Sequence, residues 1–216
     1  MTKLKTISDA LLGLTDGMTI MVGGFLATGS PDALVDEIVR RGIGNLTLIA
    51  NDTAMPDRGY GKLFATGQIK KVVCSYMGLN PIAITQKLDG TIEVELVPQG
   101  TLAERIRAGG SGLGGILTPT GVGTMVEEGK TKLEVGGRVY LVELPLRADF
   151  ALINASLADP AGNLVYRKSA RNFNPLMAMA ADHVVAQAAK VQSIGEIDPD
   201  LVMTPGVVVD AVVEVN

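Results

Sequence analysis

The chain reads as an α/β protein with an open, mainly parallel sheet flanked by helices. Three observations predict this. Short runs rich in Val, Ile and Leu alternate with segments of helical periodicity. Glycine supplies 26 of the 216 residues, about 12% against a usual share of about 7%, and it sits at the joints between those runs, not in a linker. The first run–loop–helix–run unit is a βαβ crossover, which makes its two strands parallel.

The elements follow in order. Ser8 can cap a short helix through Leu14, and Asp16-Gly17 makes a turn before the apolar strand Met18 to Val22. After the loop Gly23 to Gly29, Ser30 suits an N-cap and Pro31 the first helical position. Leu34, Val35, Ile38 and Val39 share a helix face that Gly42 ends, and Leu46 to Ala50 is the next strand. Lys71 to Tyr76 and the alternating Ile92 to Val97 read as strands. Thr101 and Glu104 have capping-box spacing for a helix through Arg107. Beyond a Gly109–Gly123 loop come strands near Arg138–Glu143 and Asp149–Ala155, a small helix over Pro175–Asp182, a strand His183–Ala188 and a last strand Val207–Val215. With no internal repeat and no linker, one domain over residues 1–216 is expected.

Composition removes several function classes. The net charge of −4, from 19 basic and 23 acidic side chains, does not suit a general nucleic-acid binder. The single cysteine, Cys74, allows no internal disulfide framework and fits a reducing, cytoplasmic setting. A mean hydropathy of +0.30 raises the question of a membrane span. The longest charge-free stretch, Ala108 to Val126, contains seven glycines and a proline and is no spanning helix. Met1 to Thr6 precedes no apolar run of signal-peptide length.

The Gly23–Gly29 loop leaves a strand end and enters a helix N-terminus, where free N–H groups and the dipole favour anions. Gly23 and Gly24 let backbone approach a ligand that a Cβ would exclude, although the same pair suits an ordinary tight turn. The spacing is not G-x-G-x-x-G and no Gly-Lys-Ser/Thr follows, which argues against a dinucleotide or NTPase site. Asn51 follows a strand end, where open α/β sheets place ligand residues, and it equally suits an Asx turn. No cluster has metal-ligand spacing. Cys74 lies within a strand and reads as a small buried hydrophobe, and His183 as a structural histidine. Arg105, Arg107, Lys130 and Lys132 are spread charges without an assigned role.

The run from Asp16 to Pro31, with Gly23-Gly24-Phe25, Gly29 and Pro31 at its defined positions, resembles the signature of family I coenzyme A transferase alpha subunits. Pro98-Gln99-Gly100-Thr101, Thr118-Pro119-Thr120-Gly121 and Ala170-Arg171-Asn172-Phe173-Asn174-Pro175 are similar to further family segments. Leu46 to Ala54 points to the acetate/acetoacetate (butyrate–acetoacetate) branch. The resemblance spans Ser8 to about Val209. It implies the open fold shared with sugar-phosphate isomerases and a ping-pong transfer of CoA between short-chain acyl-CoA and carboxylates. That transfer runs through a glutamyl thioester.

In the family the nucleophilic glutamate stands in a Ser-Glu-Asn-Gly context on a beta subunit, and no Ser-Glu pair occurs here. The resemblance therefore implies an alpha subunit lacking the nucleophile, paired with a beta subunit, expected as α2β2. Coenzyme A is a substrate, no resident cofactor or metal is implied, and neither nucleic acid nor membrane is a partner. Of the glutamates present, Glu127, Glu128 and Glu143 have the least obvious structural explanation. By resemblance Asn51 is an oxyanion donor, and Gly23, Gly24, Phe25, Gly29 and Gln99 contact substrate or CoA. The other readings are a 3-oxoacid or 3-oxoadipate transferase subunit, or a non-catalytic ligand-binding module of the same fold.

Overall fold

Apolar runs without polar alternation belong to strands covered on both faces, and the computed structural model, which describes residues 2–215, shows why these runs need to be apolar throughout. In chain order the first elements are α1 (Ile7–Ala10), β1 (Thr19–Val22), α2 (Asp32–Arg41), β2 (Leu46–Ile49), α3 (Lys62–Ala65) and β3 (Ile69–Cys74). Then come α4 (Pro81–Leu88), β4 (Glu93–Leu96), α5 (Gln99–Gly110), β5 (Ile116–Thr118), β6 (Lys132–Val135) and β7 (Arg138–Glu143). The last are β8 (Ala148–Ala155), β9 (Leu157–Ala158), β10 (Leu164–Val165), α6 (Asn174–Met177), β11 (Ala181–Ala188) and β12 (Ala211–Glu214).

Seven strands form one sheet in the order β12-β11-β8-β1-β2-β3-β4, every neighbouring pair parallel. Ile20, Val22, Leu48 and Val72 face one core with Leu34, Ile38 and Phe64, while Met21, Ile49, Val73 and Ile153 face a second with Leu102, Ile106 and Met177. A separate antiparallel sheet, β5-β7-β6, stands apart. The strand expected at Arg138–Glu143 belongs to this small sheet, not to the parallel one.

Several local expectations need correction. The first helix is capped by Thr6, whose Oγ1 accepts from the Asp9 N–H, not by Ser8. Helix α2 has Pro31 at its N-cap position without a side-chain cap, and the buried Ser30 hydroxyl has no partner among the described residues. The cap comes from far away: Gln187 of β11 accepts from Ala33 N–H at 2.9 Å and Leu34 N–H at 3.4 Å. Helix α5 starts at Gln99 behind Pro98, so Thr101 lies inside it, and Glu104 pairs with Arg107 instead of closing a capping box. The expected Gly109–Gly123 loop begins in the last turn of α5 and contains β5. Its Gly109 lets α5 pack on the chain at Leu146, whose carbonyl oxygen lies 1.9 Å from where a Cβ would stand. Residues 206–208 form a 3-10 turn, so the last strand is only Ala211–Glu214. The expected helix over Pro175–Asp182 is shorter, Asn174–Met177. Helix α4 and strand β6 lie outside the expected elements, although Asn80-Pro81 carries a strong helix-start signal and Asn80 does cap α4.

Cys74 ends β3 fully buried, as expected, and burial pushes its thiol up to about 12, with the nearby Asp52 charge adding to the effect. Burial likewise pushes the Tyr166 phenol up to about 12. Both groups fold as neutral acids, so their contribution to stability is complete below their unfolded values and is lost as pH rises through the folded ones. Melting temperatures should therefore hold to about pH 9 and fall above it. A thiol-specific disulfide reagent should label Cys74 only after unfolding. Rapid labelling of the native chain would contradict this burial.

Candidate active site

The chain runs from β1 outward through β2, β3 and β4, then returns to the other side of β1 with β8, β11 and β12. The direction of winding changes between β1 and β8, and the crevice beyond the strand ends at such a point is where open sheets bind ligands. The loops after β1, β2 and β3 and the start of α5 converge at this end.

Asn51 lies just past β2 and is 2% exposed. Its Oδ1 accepts from Gln99 Nε2 at 2.7 Å and from Ser75 Oγ at 3.2 Å, and its Nδ2 donates to Asp52 Oδ2 at 2.9 Å. The structure thus joins two predicted residues, Asn51 and Gln99, through one hydrogen bond. Gln99 is exposed in the first turn of α5, not in a loop. The second Nδ2 hydrogen of Asn51 has no acceptor among the described residues. The arrangement is an oriented amide with a spare N–H, the kind of group that can meet developing negative charge.

Asp52 carries most of the local order and is absent from the sequence-based site. It is 1% exposed and no cation pairs with it among the described residues. Its carboxylate accepts from Leu26 N–H (2.8 Å), Ala54 N–H (2.7 Å), Tyr60 OH (3.0 Å) and Asn51 Nδ2. Leu26 and Ala54 have φ of 48° and 50°, the left-handed region that costs a side-chain-bearing residue about 1–2 kcal/mol. One carboxylate therefore holds two strained turns, one after β1 and one after β2. Burial and the adjacent Asp52 push the Tyr60 phenol well above its ordinary value, which keeps it a donor.

The glycine loop is shaped by the chain itself. A Cβ on Gly23 would stand 1.8 Å from Asn174 Oδ1, and one on Gly29 2.7 Å from the Ala170 carbonyl oxygen. Gly24 has φ of 133°, with Tyr60 3.1 Å from the position of a Cβ. Within the chain, the close approach that these glycines permit is to residues 170–174 and Tyr60. Asn172 accepts from Gly24 N–H (3.2 Å) and donates to the Thr28 carbonyl (2.9 Å), while Asn174 donates to the Gly29 and Ala170 carbonyls. At the α2 N-terminus Gln187 already accepts from the Ala33 and Leu34 N–H groups, which leaves those two unavailable to an anion. Phe25 is 43% exposed and lines a shallow pocket of about 320 Å³ with Thr28, Ser169 and Asn172. A second cleft, of about 500 Å³, opens between the start of α5 and β5 beside Gly100, Thr101 and Leu117.

Several of the other charged groups have structural partners, whereas none is seen for Glu128 among the described residues. Glu143 is 2% exposed and held by Lys130 at 2.5 Å. The Gly123 N–H and Lys132 hold the Glu127 carboxyl below its ordinary value. Arg105 is buried against Glu95 and the Leu144 carbonyl. His183 stacks edge-on with Phe150, ring centroids 4.9 Å apart. Among the described residues no group of metal-ligand side chains converges, and no helix is long and apolar enough to cross a membrane.

The sequence model of the coenzyme A transferase family matches residues 4–215. The chain belongs to the coenzyme A transferase family. It is 52% identical to the alpha subunit of the acetate CoA-transferase of Escherichia coli K12, over 98% of this chain and 96% of that protein. Identity is also 52% to the acetoacetyl-CoA:acetate/butyrate CoA transferase alpha subunit of Clostridium acetobutylicum, over 92% of this chain and 91% of that one. A 3-oxoadipate CoA-transferase subunit of Pseudomonas putida is 48% identical, over 98% and 93%. In fold, this CoA-transferase subunit is similar to an acyl-CoA transferase of Escherichia coli O157:H7, solved as a thioester complex with CoA (TM-score 0.87, 21% identity). That match covers 99% of this chain and 50% of that one, so this chain spans about half of that enzyme. Glutaconate coenzyme A-transferase of Acidaminococcus fermentans shares the fold at a TM-score of 0.86 and 24% identity, over 99% and 75%.

Proposed function

We propose that this alpha subunit works in a cytoplasmic short-chain acyl-CoA:carboxylate CoA-transferase of the acetate/acetoacetate/butyrate type, in an α2β2 assembly with a beta subunit. The oriented Asn51 amide, with its spare N–H at the sheet's strand ends, carries the reading. The absence of any Ser-Glu pair in this chain supports a nucleophilic glutamate supplied by the beta subunit.

In the proposed cycle that glutamate carboxylate attacks the thioester carbonyl, forming a mixed anhydride and releasing CoA thiolate. The thiolate attacks the glutamyl carbonyl, giving a glutamyl-CoA thioester and the free acid. An incoming carboxylate reverses these steps and leaves as its own CoA thioester. Asn51 donates to the oxyanion as the carbonyl is attacked, while Gln99 and Asp52 keep its amide turned that way. Gly23, Gly24 and Gly29 act by letting the chain clamp the loop on which Phe25 stands beside substrate. Coenzyme A enters as substrate, so the cycle needs no resident cofactor.

The purified chain alone should show no acetyl-CoA plus acetoacetate exchange, and adding the beta subunit should restore it. Robust turnover by the isolated chain would overturn the division of labour. A panel of acetate, butyrate, acetoacetate and 3-oxoadipate as acceptors then separates the substrate branches, the first three being favoured.

A further inference from the structure

Strand β6 is the outer strand of the small antiparallel sheet, and all four of its residues are exposed. Its side toward β7 is paired in the register Lys132–Leu141 to Val135–Arg138. The Val142 N–H donates to the Thr131 carbonyl at 2.8 Å, and the two-residue turn Gly136-Gly137, with φ of 60° and 75°, closes the hairpin. Because hydrogen-bonded and non-hydrogen-bonded pairs alternate along an antiparallel ladder, Thr131, Leu133 and Val135 bond to β7. Lys132 and Glu134 then direct their N–H and C=O groups away from it, along a free edge.

We propose that this edge pairs with the same edge of a second copy of the chain, antiparallel, about a two-fold axis through Leu133. Outward-facing residues must oppose outward-facing residues, which leaves few registers. An axis through Lys132 sets that lysine against itself, and one through Glu134 sets that glutamate against itself. An axis through Leu133 sets each Lys132 opposite Glu134 of the other copy, so both cross-strand pairs attract. The pairing forms four backbone hydrogen bonds and brings the two Leu133 side chains together at the closer, non-hydrogen-bonded spacing.

Leu133 and Val135, 46% and 53% exposed, become part of an apolar strip beside Tyr140. Lys132 already reaches Glu127 at 3.0 Å, and an ammonium has three donors, so it can serve both carboxylates. Charges on an edge strand ordinarily discourage pairing with strangers; here the same two charges select a copy of the strand in one register. The result is a six-stranded sheet running through two copies of the chain. The pairing does not depend on how the Asn51 site is read.

The test uses the full chain in low salt, by sedimentation equilibrium. The wild type should dimerise, and Lys132→Glu and Glu134→Lys should each weaken the dimer about tenfold or more, since each turns both cross-strand pairs repulsive. An equimolar mixture of the two variants should form a mixed dimer, because residues 132 and 134 then carry opposite charges in both pairs. Two misfolded variants could not rescue each other in this way. Leu133→Cys should form a disulfide with its own copy under mild oxidation, the natural Cys74 being buried. The proposal is overturned if the wild type is monomeric and Leu133→Cys does not cross-link. It is overturned equally if the single variants dimerise as the wild type does, or if their mixture stays monomeric.

Discussion

Replacing Asn51 with alanine in the assembled enzyme is expected to lower kcat about 10²–10³-fold while leaving KM for acyl-CoA nearly unchanged. On the proposed reading the lost N–H meets charge that exists mainly in the transition state, so its removal acts on kcat. Stability should fall as well. The amide is buried, and deleting it removes one of the four donors to the buried Asp52, while the exposed Gln99 loses its acceptor to water. A cost of about 1–3 kcal/mol fits the loss of a buried polar partner. Melting curves therefore have to accompany the kinetics, with kcat expressed per folded molecule. A normal kcat on that basis would return Asn51 to the role of a turn residue.

Gly23→Ala should be the most damaging single methyl in the glycine loop. The added carbon would stand 1.8 Å from Asn174 Oδ1, and Asn174 is fully buried. That side chain accepts from Asn154 N–H at 2.9 Å and donates to the Gly29 and Ala170 carbonyls, so it cannot turn aside without breaking three hydrogen bonds. We expect a loss of about 3 kcal/mol or more. In a chain of this size that lowers Tm by about 6–12 °C. Gly100→Ala is the matched control, because it lies within α5 with nothing within 4 Å of its Cβ position. Equal melting temperatures for the two variants would refute the internal-clamp account of Gly23.

The parallel sheet was legible because its signal is local: apolar runs without polar alternation mark strands buried on both faces, and glycine or proline marks their ends. Asn51 and Gln99 could be named as site residues, but their mutual hydrogen bond joins positions far apart in sequence. Asp52 was passed over because its local bonds to Asn51 and Ala54 look like an ordinary turn, and the bond to Leu26 that ties in the loop after β1 spans 26 residues. Ser30 illustrates how local reasoning fails. It has the right identity for a cap and stands one residue before the observed N-cap position, yet Gln187 of β11, two strands from β1 in the sheet, takes that role. The packing of Gly23 and Gly29 against Asn174 and Ala170 was hidden likewise, because a sequence shows that a Cβ is unwelcome without showing what it would strike. Strand β6 escaped notice because a strand exposed on both faces has no burial pattern to read.

The single carboxylate shared by the turns after β1 and β2 has a kinetic consequence. Neither turn can swing without releasing a bond to the same buried anion, so the two move as one rigid piece or not at all. On the proposed reading, the reorganisation energy of these turns is thereby met once, when the chain folds, and not in every catalytic cycle. Whatever closure accompanies the arrival and departure of substrate must then be made by parts that Asp52 does not hold.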